Sequence, residues 1–192
     1  RDRKRVFIST AGRNPRATYE QRMNDDALPL VEELPASLSA PEAFSRLAEM
    51  PRVVFFDSAM DAGVRSRFSF VAADPFAWIE APADGRDALA DVQQMLAPYR
   101  QATRPDLPPF QGGAAGLFGY ELSRSLERIK AARYDDLPTP ALAVGCYDVV
   151  LAFDHQAQRG WIISQGCPQH DPAERTRRAE SRLASFQAIL SG

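Results

Sequence analysis

Beyond Met23, short apolar runs alternate with segments in which apolar side chains recur every three to four residues, a pattern that predicts strands and amphipathic helices in turn. The first helix is announced by Ser39 and Glu42, which have capping-box spacing, and by Pro41, which suits a first turn. Phe44, Leu47 and Ala48 then mark one apolar face, and Pro51 breaks the helix just after Met50. Residues 53–56 (Val-Val-Phe-Phe) read as a short buried strand closed by Asp57 and Ser58. In residues 67–73 polar and apolar positions first alternate, with Phe68 and Phe70 on one side and Arg67 and Ser69 on the other, until Asp74 and Pro75 stop a second strand. A third run, Ala77, Trp78 and Ile79, precedes a helix whose Leu89, Val92, Leu96 and Tyr99 fall on one face.

The middle of the chain is loop-like, because Pro105, Pro108 and Pro109 lack amide donors and restrict the residues before them. Residues 112–120 follow as a strand so poor in side-chain volume that another backbone must approach it closely. Leu122, Leu126 and Ile129 predict a short helix, and residues 144–153 and 161–164 flank a polar connection, which predicts a β-hairpin. Asp171 caps a last helix with Ala179, Leu183, Phe186 and Leu190 on one stripe. Paired strands separated by capped helices imply an α+β fold, layered mixed β-sheets with flanking helices, in place of a regular doubly wound sheet.

Composition refines this picture. A chain of 192 residues, 45% apolar and 25% charged, is an ordinary globular sequence and long enough to bury about 70% of its unfolded surface. Cys146 and Cys167 belong to no metal-binding or disulfide spacing, so a reducing, cytoplasmic setting is expected. No apolar run approaches the roughly 20 residues that cross a bilayer, so no membrane association is expected. Charge is uneven: Arg1, Arg3, Lys4, Arg5, Arg13, Arg16 and Arg22 crowd the first 22 residues, although the chain's formal charge is −2. The break at Met23 predicts that residues 1–22 are a disordered upstream extension and that residues 23–192 form the folded unit; a nucleic-acid arm or an organelle transit peptide would have the same composition.

The candidate chemistry is sparse. Gly113, Gly116 and Gly119 invite a phosphate-cradle reading, but the spacing is neither that of a P-loop nor that of a dinucleotide fingerprint, and close backbone packing is preferred. Asp57, Ser58 and His155 contain the groups of a hydrolytic triad without its nucleophile elbow; His155 reads as solvated in the hairpin turn, and His170 adjoins the Asp171 cap. Glu121 and Glu127 do not share a helix face cleanly and read as solvated. Arg65 and Arg67, around Ser66, stand out, because an arginine inside an apolar strand needs a carboxylate, a carbonyl or a ligand anion. A structural ion pair is the plainer of those readings.

Three stretches, residues 54–59, 66–75 and 109–122, resemble in order and spacing the N-terminal region of the anthranilate synthase component I family, to which aminodeoxychorismate synthase component I belongs. Residues 144–148 and 153–155 continue the resemblance, which runs from about Leu28 to the end of the chain. Asp57-Ser58 and Ser66-Arg67-Phe68 look like the aminodeoxychorismate branch. The resemblance implies an N-terminal portion of an enzyme that converts chorismate and ammonia to 4-amino-4-deoxychorismate for folate; an anthranilate synthase fragment and a stand-alone amino-acid-binding module stay open. It also implies that the chorismate-binding domain, with its Mg²⁺ ligands and acid/base groups, is absent from this sequence, which would then be inactive alone. A separate glutamine amidotransferase subunit is the implied partner, and no nucleic-acid partner is implied. For this region it implies a tryptophan-type pocket built by Ser58, Arg65, Ser66, Arg67 and Phe68, with Ser58 as hydrogen-bond partner and Phe68 as apolar wall. Arg65 stands where such a pocket can hold an aromatic residue, so weak tryptophan binding or none is expected, together with exposed apolar surface on residues 23–192.

Overall fold

The computed structural model describes residues 28–58, 66–130 and 139–192. Arg65, the basic segment and Met23 lie outside them. The described elements are β1 (Leu30–Glu33), α1 (Ala40–Leu47), β2 (Val54–Phe56), β3 (Phe68–Ala72), β4 (Ala77–Ala81), α2 (Ala88–Leu96), β5 (Gly113–Phe118), α3 (Ser123–Leu126), β6 (Leu142–Tyr147), β7 (Val149–Asp154), β8 (Arg159–Ser164) and α4 (Pro172–Ser191). They build two antiparallel sheets, one of five strands in the order β1-β8-β7-β3-β2 and one of three in the order β4-β6-β5. The fold is α+β.

Helix α1 starts where the sequence says it should: the Ser39 side chain accepts from the Glu42 amide and the Glu42 carboxylate accepts from the Ser39 amide. Its buried face, Ala40, Ala43 and Leu47, packs with Phe186 and Leu190 of α4 against Val71, Leu151 and Ile162 of the large sheet. Strand β7 is buried along its whole length because its alternation is divided between two cores. Val149, Leu151 and Phe153 face the helices, while Val150 and Ala152 face Tyr147, Trp161 and Ile163 on the other side. Helix α2 covers the small sheet through Ala88 and Val92, with Leu89 and Leu96 partly buried beside them.

Three expectations need correction. Residues 144–153 are not one strand: the run is cut at Asp148, and β6 joins the small sheet while β7 joins the large one. The strand at residues 53–56 is not buried: β2 is a sheet edge paired with β3 alone, and Phe56 is 45% exposed. The helix foreseen from Leu122, Leu126 and Ile129 is one turn long, and only Leu122 reaches the core, leaving Leu126 66% exposed. Strand β1 carried no recognised signal, since its partly exposed Leu30 and Val31 precede two exposed glutamates.

The cut at Asp148 has a physical partner. Asp148 is fully buried, and Arg182 of α4 donates from Nη2 to its Oδ1 at 3.1 Å, while Arg178 Nε lies 3.6 Å from its Oδ2. Arg182 also pairs with the Asp74 carboxylate through Nη1 and donates from Nη2 to the Asp74 carbonyl at 2.7 Å. Asp74 sits at φ 50°, in the turn between β3 and β4. Burial pushes the Asp148 carboxyl above its ordinary range, and Arg182 and Arg178 pull it back.

The small-residue strand β5 packs as its composition requires at one glycine and not at another. A Cβ on Gly116, at φ +152°, would lie 2.2 Å from the Ala143 carbonyl oxygen, whereas one on Gly113, at φ +120°, would meet nothing within 4 Å.

Two outcomes are expected in denaturant unfolding. Asp148→Asn, which removes the buried anion shared by Arg178 and Arg182 while Arg182 keeps Asp74, lowers stability by about 1–3 kcal/mol. Gly116→Ala costs about 3 kcal/mol or more, because backbone strain and overpacking coincide, while Gly113→Ala costs only the strain, about 1–2 kcal/mol.

Candidate functional site

The strand order β7-β3-β2 brings three chain segments to one end of the large sheet: Asp57 and Ser58 after β2, Ser66 and Arg67 before β3, and Asp154 and His155 at the end of β7. Ser58 donates from Oγ to the Phe68 carbonyl at 2.6 Å and from its amide to Ser69 Oγ at 3.0 Å. Ser69, fully buried, stands 2.9 Å from Asp57 Oδ1 and 2.7 Å from His155 Nε2. A hydroxyl has one proton to give and a carboxylate can only accept, so Ser69 donates to Asp57 and accepts from the Ser58 amide. His155 must then present Nε2–H to Ser69.

The arrangement holds serine, aspartate and histidine together, but in an order that cannot activate a nucleophile. In a hydrolytic relay the imidazole stands between carboxylate and hydroxyl; here the hydroxyl stands in the middle and is out of reach of a substrate. Its work is to tie β2, β3 and β7 together. His155 is exposed as expected, yet its ring is engaged with Ser69 and its amide donates to the Arg67 carbonyl at 2.8 Å.

Arg67 takes the structural ion pair. Its Nε and Nη2 donate to Asp154 Oδ2 at 3.0 and 2.6 Å, and its guanidinium carbon lies 4.8 Å from the centre of the Phe68 ring. Asp154 Oδ1 accepts from the amides of Gln156 and Ala157, so the same carboxylate also forms the β7–β8 turn. The hydrogen bond from Arg67 is the largest influence holding the Asp154 carboxyl below its ordinary range.

Of the sequence-derived pocket residues, Ser58, Ser66, Arg67 and Phe68 are thus brought together, with the Ser58 hydroxyl and the Arg67 guanidinium both engaged by protein atoms. Ser69 and Asp154 were missed. The available signals were a serine alternating with Phe68 and Phe70, and an aspartate where an apolar strand turns polar. Neither cysteine offers a nucleophile: burial pushes the Cys146 thiol up to about 11, and the Cys167 thiol also upward. Among the described residues no group of three or more His, Cys, Asp or Glu could hold a metal ion, and no helix is long and apolar enough to cross a membrane.

This two-sheet arrangement is shared with a solved synthase: the crystal structure of anthranilate synthase component I from Streptococcus pneumoniae TIGR4 matches with a TM-score of 0.50 and 21% identity, over 81% of this chain and 37% of that one. In sequence the chain is 35% identical over 157 residues to aminodeoxychorismate synthase component 1 of Escherichia coli (strain K12), covering 67% of this chain and 34% of that protein. It is 33% identical over 169 residues to anthranilate synthase component 1 of Thermus thermophilus, covering 82% of this chain and 35% of that protein. No family model matches the chain. The chain belongs to the family of aminodeoxychorismate and anthranilate synthase component 1 proteins, and spans about a third of the length of the curated relatives it matches.

Replacing Asp154 by Asn removes an ion pair and a turn-forming carboxylate together, at an expected cost of about 1–3 kcal/mol at neutral pH. Because folding lowers the Asp154 pKa, its contribution is complete above the unfolded carboxylate value and is lost as pH falls through the folded value. In urea titrations the gap between wild type and variant should therefore be constant from neutral pH to about 5, and close below about 4.

Proposed function

We propose that this chain is the N-terminal portion of an aminodeoxychorismate synthase component 1, working in the cytoplasm with the chorismate-binding domain of such a synthase. The carrying observation is the 35% identity to the Escherichia coli protein of that name, supported by the Asp57-Ser58 and Ser66-Arg67-Phe68 signatures of that branch. The surface agrees with it. Strand β5 is an edge of the small sheet, and from its last residues onward Leu117, Phe118, Tyr120, Leu126 and Ile129 are exposed large apolar side chains of the kind a further domain would cover.

In this reading the whole enzyme replaces a ring hydroxyl of chorismate by an amine, with water leaving as ammonia enters. Ammonia would come from a glutamine amidotransferase subunit. Mg²⁺ and the acid/base groups would be held by the chorismate-binding domain. No reaction step is assigned to this chain; its part is to support the chorismate-binding domain. The pocket at Ser58 and Phe68 would bind tryptophan weakly or not at all, because the serine hydroxyl is already bonded and Arg67 is already paired. The anthranilate reading draws on the 33% identity to the Thermus protein.

Incubating the full-length enzyme with chorismate, Mg²⁺ and ammonia, and separating the products, should yield 4-amino-4-deoxychorismate. Anthranilate as product would move the protein to the tryptophan branch, and unreacted chorismate would overturn the proposal. Calorimetry with tryptophan should give no dissociation constant in the micromolar range.

A further inference from the structure

A cleft of about 210 Å³ lies away from the Ser58 cluster, where the loop before β5 meets the end of β6 and the segment after β8. Its walls are aromatic and aliphatic: Phe76, Leu96, Tyr99 and Tyr147. The Tyr99 ring is held from two sides, edge-on to Phe76 at 5.2 Å and stacked on His170 at 5.2 Å. Tyr147 is 1% exposed and its hydroxyl donates to the Arg52 carbonyl at 2.6 Å, so it closes the base of the cleft as a fixed, buried residue.

The polar floor is built in advance. Gln111 is buried and fixed by its own loop: Nε2 donates to the carbonyls of Arg104 at 2.8 Å and Pro108 at 3.0 Å, and Oε1 accepts from the Arg104 amide at 2.9 Å. Gln165, also buried, donates from Nε2 to the Gln111 carbonyl at 2.7 Å and accepts from Gln101. Gly113 borders the same cleft, and the space a Cβ would occupy there is empty. A site whose polar groups are already fixed loses little order when something binds.

The charge is one-sided. Arg100 lines the cleft, and among the described residues it has no carboxylate or other hydrogen-bonding partner. Arg175 stands behind the floor and donates to the Gln165 carbonyl at 2.8 Å and to Gln101 Oε1 at 2.9 Å; it too pairs with no carboxylate among the described residues. No aspartate or glutamate lines the cleft. The Arg100 guanidinium, unpaired among the described residues and lining the cleft beside a partly desolvated aromatic wall, with the Arg175 charge behind the floor, favours an anion that also carries a flat apolar body.

We infer that this cleft binds a small aromatic carboxylate, with its ring among Phe76, Leu96 and Tyr99 and its carboxylate toward Arg100. The site is separate from the Ser58–Phe68 pocket and does not depend on which chorismate product the whole enzyme makes.

Benzoate is the probe, and benzamide, of the same shape without the charge, is its control. Calorimetry on the full-length protein should show benzoate binding about tenfold more tightly than benzamide, with amide exchange slowed at residues 111–113. Arg100→Gln should weaken benzoate about tenfold, equivalent to about 1.4 kcal/mol, and leave benzamide unchanged. Arg100→Lys should retain most of the affinity, and Ser58→Ala should leave it unaltered. Arg100 is exposed and partnerless among the described residues, so its variants should fold. Equal affinity for the two probes, absence of benzoate binding, or binding insensitive to Arg100→Gln would overturn the assignment.

Discussion

One arginine holds both places where the chain passes between the sheets. The backbone leaves the large sheet for the small one at Asp74, after β3, and returns at Asp148, between β6 and β7; Arg182 bonds to both aspartates. A bare carboxylate at a fully buried position would be very costly, so Asp148 is tolerable only where α4 delivers cations to it. Helix α4 in turn can lie there only because Ala179, Phe186 and Leu190 bury themselves along the large sheet. The apolar stripe places the helix, the helix places Arg182, and Arg182 fixes where a single apolar run divides into two strands.

Everything at the end of the large sheet follows from that division. Once β7 is a separate strand between β3 and β8, its last residues, Asp154 and His155, must lie beside the start of β3 and the end of β2. Polar groups at three strand ends then satisfy one another: Asp154 with Arg67, His155 and Asp57 with Ser69, Ser58 with the Phe68 carbonyl. Such a closed network stabilises and orients strands. It leaves little unsatisfied capacity for a ligand.

Much of this was legible in the sequence where one residue type has one physical use. The Ser39–Glu42 box, the Asp171 cap, the stripe of α4 and the β7–β8 hairpin are local signals, and each fell where it was read. The tight packing of β5 was legible only in part: Gly116 lies against the Ala143 carbonyl, while Gly113 borders open space. What escaped depends on distant partners. Asp148 interrupts an apolar run by one residue, and nothing near it in sequence tells that Arg178 and Arg182, about thirty residues later, will neutralise it. Strand β1 is visible only as a partner of β8, and the role of Ser69 needs Asp57 and His155 to be near. The family resemblance reached further than the patterns, because order and spacing over three stretches carry information that no single residue does.

The contrast between two polar places argues where a ligand would act on this chain. Arg67 has its aspartate, and a carboxylate arriving there would have to displace an oxygen that accepts two of its hydrogen bonds and belongs to a carboxylate already held by the β7–β8 turn. Arg100 and Arg175 have no such competitor among the described residues, and the amides around them are bonded to one another in a fixed floor. An incoming anion at the cleft would gain attraction without breaking an existing pair, while at the Ser58 cluster the same attraction would be offset by the loss of Asp154. Charge left uncompensated beside a prebuilt aromatic wall is therefore the better guide to binding here than an arginine that merely interrupts an apolar strand.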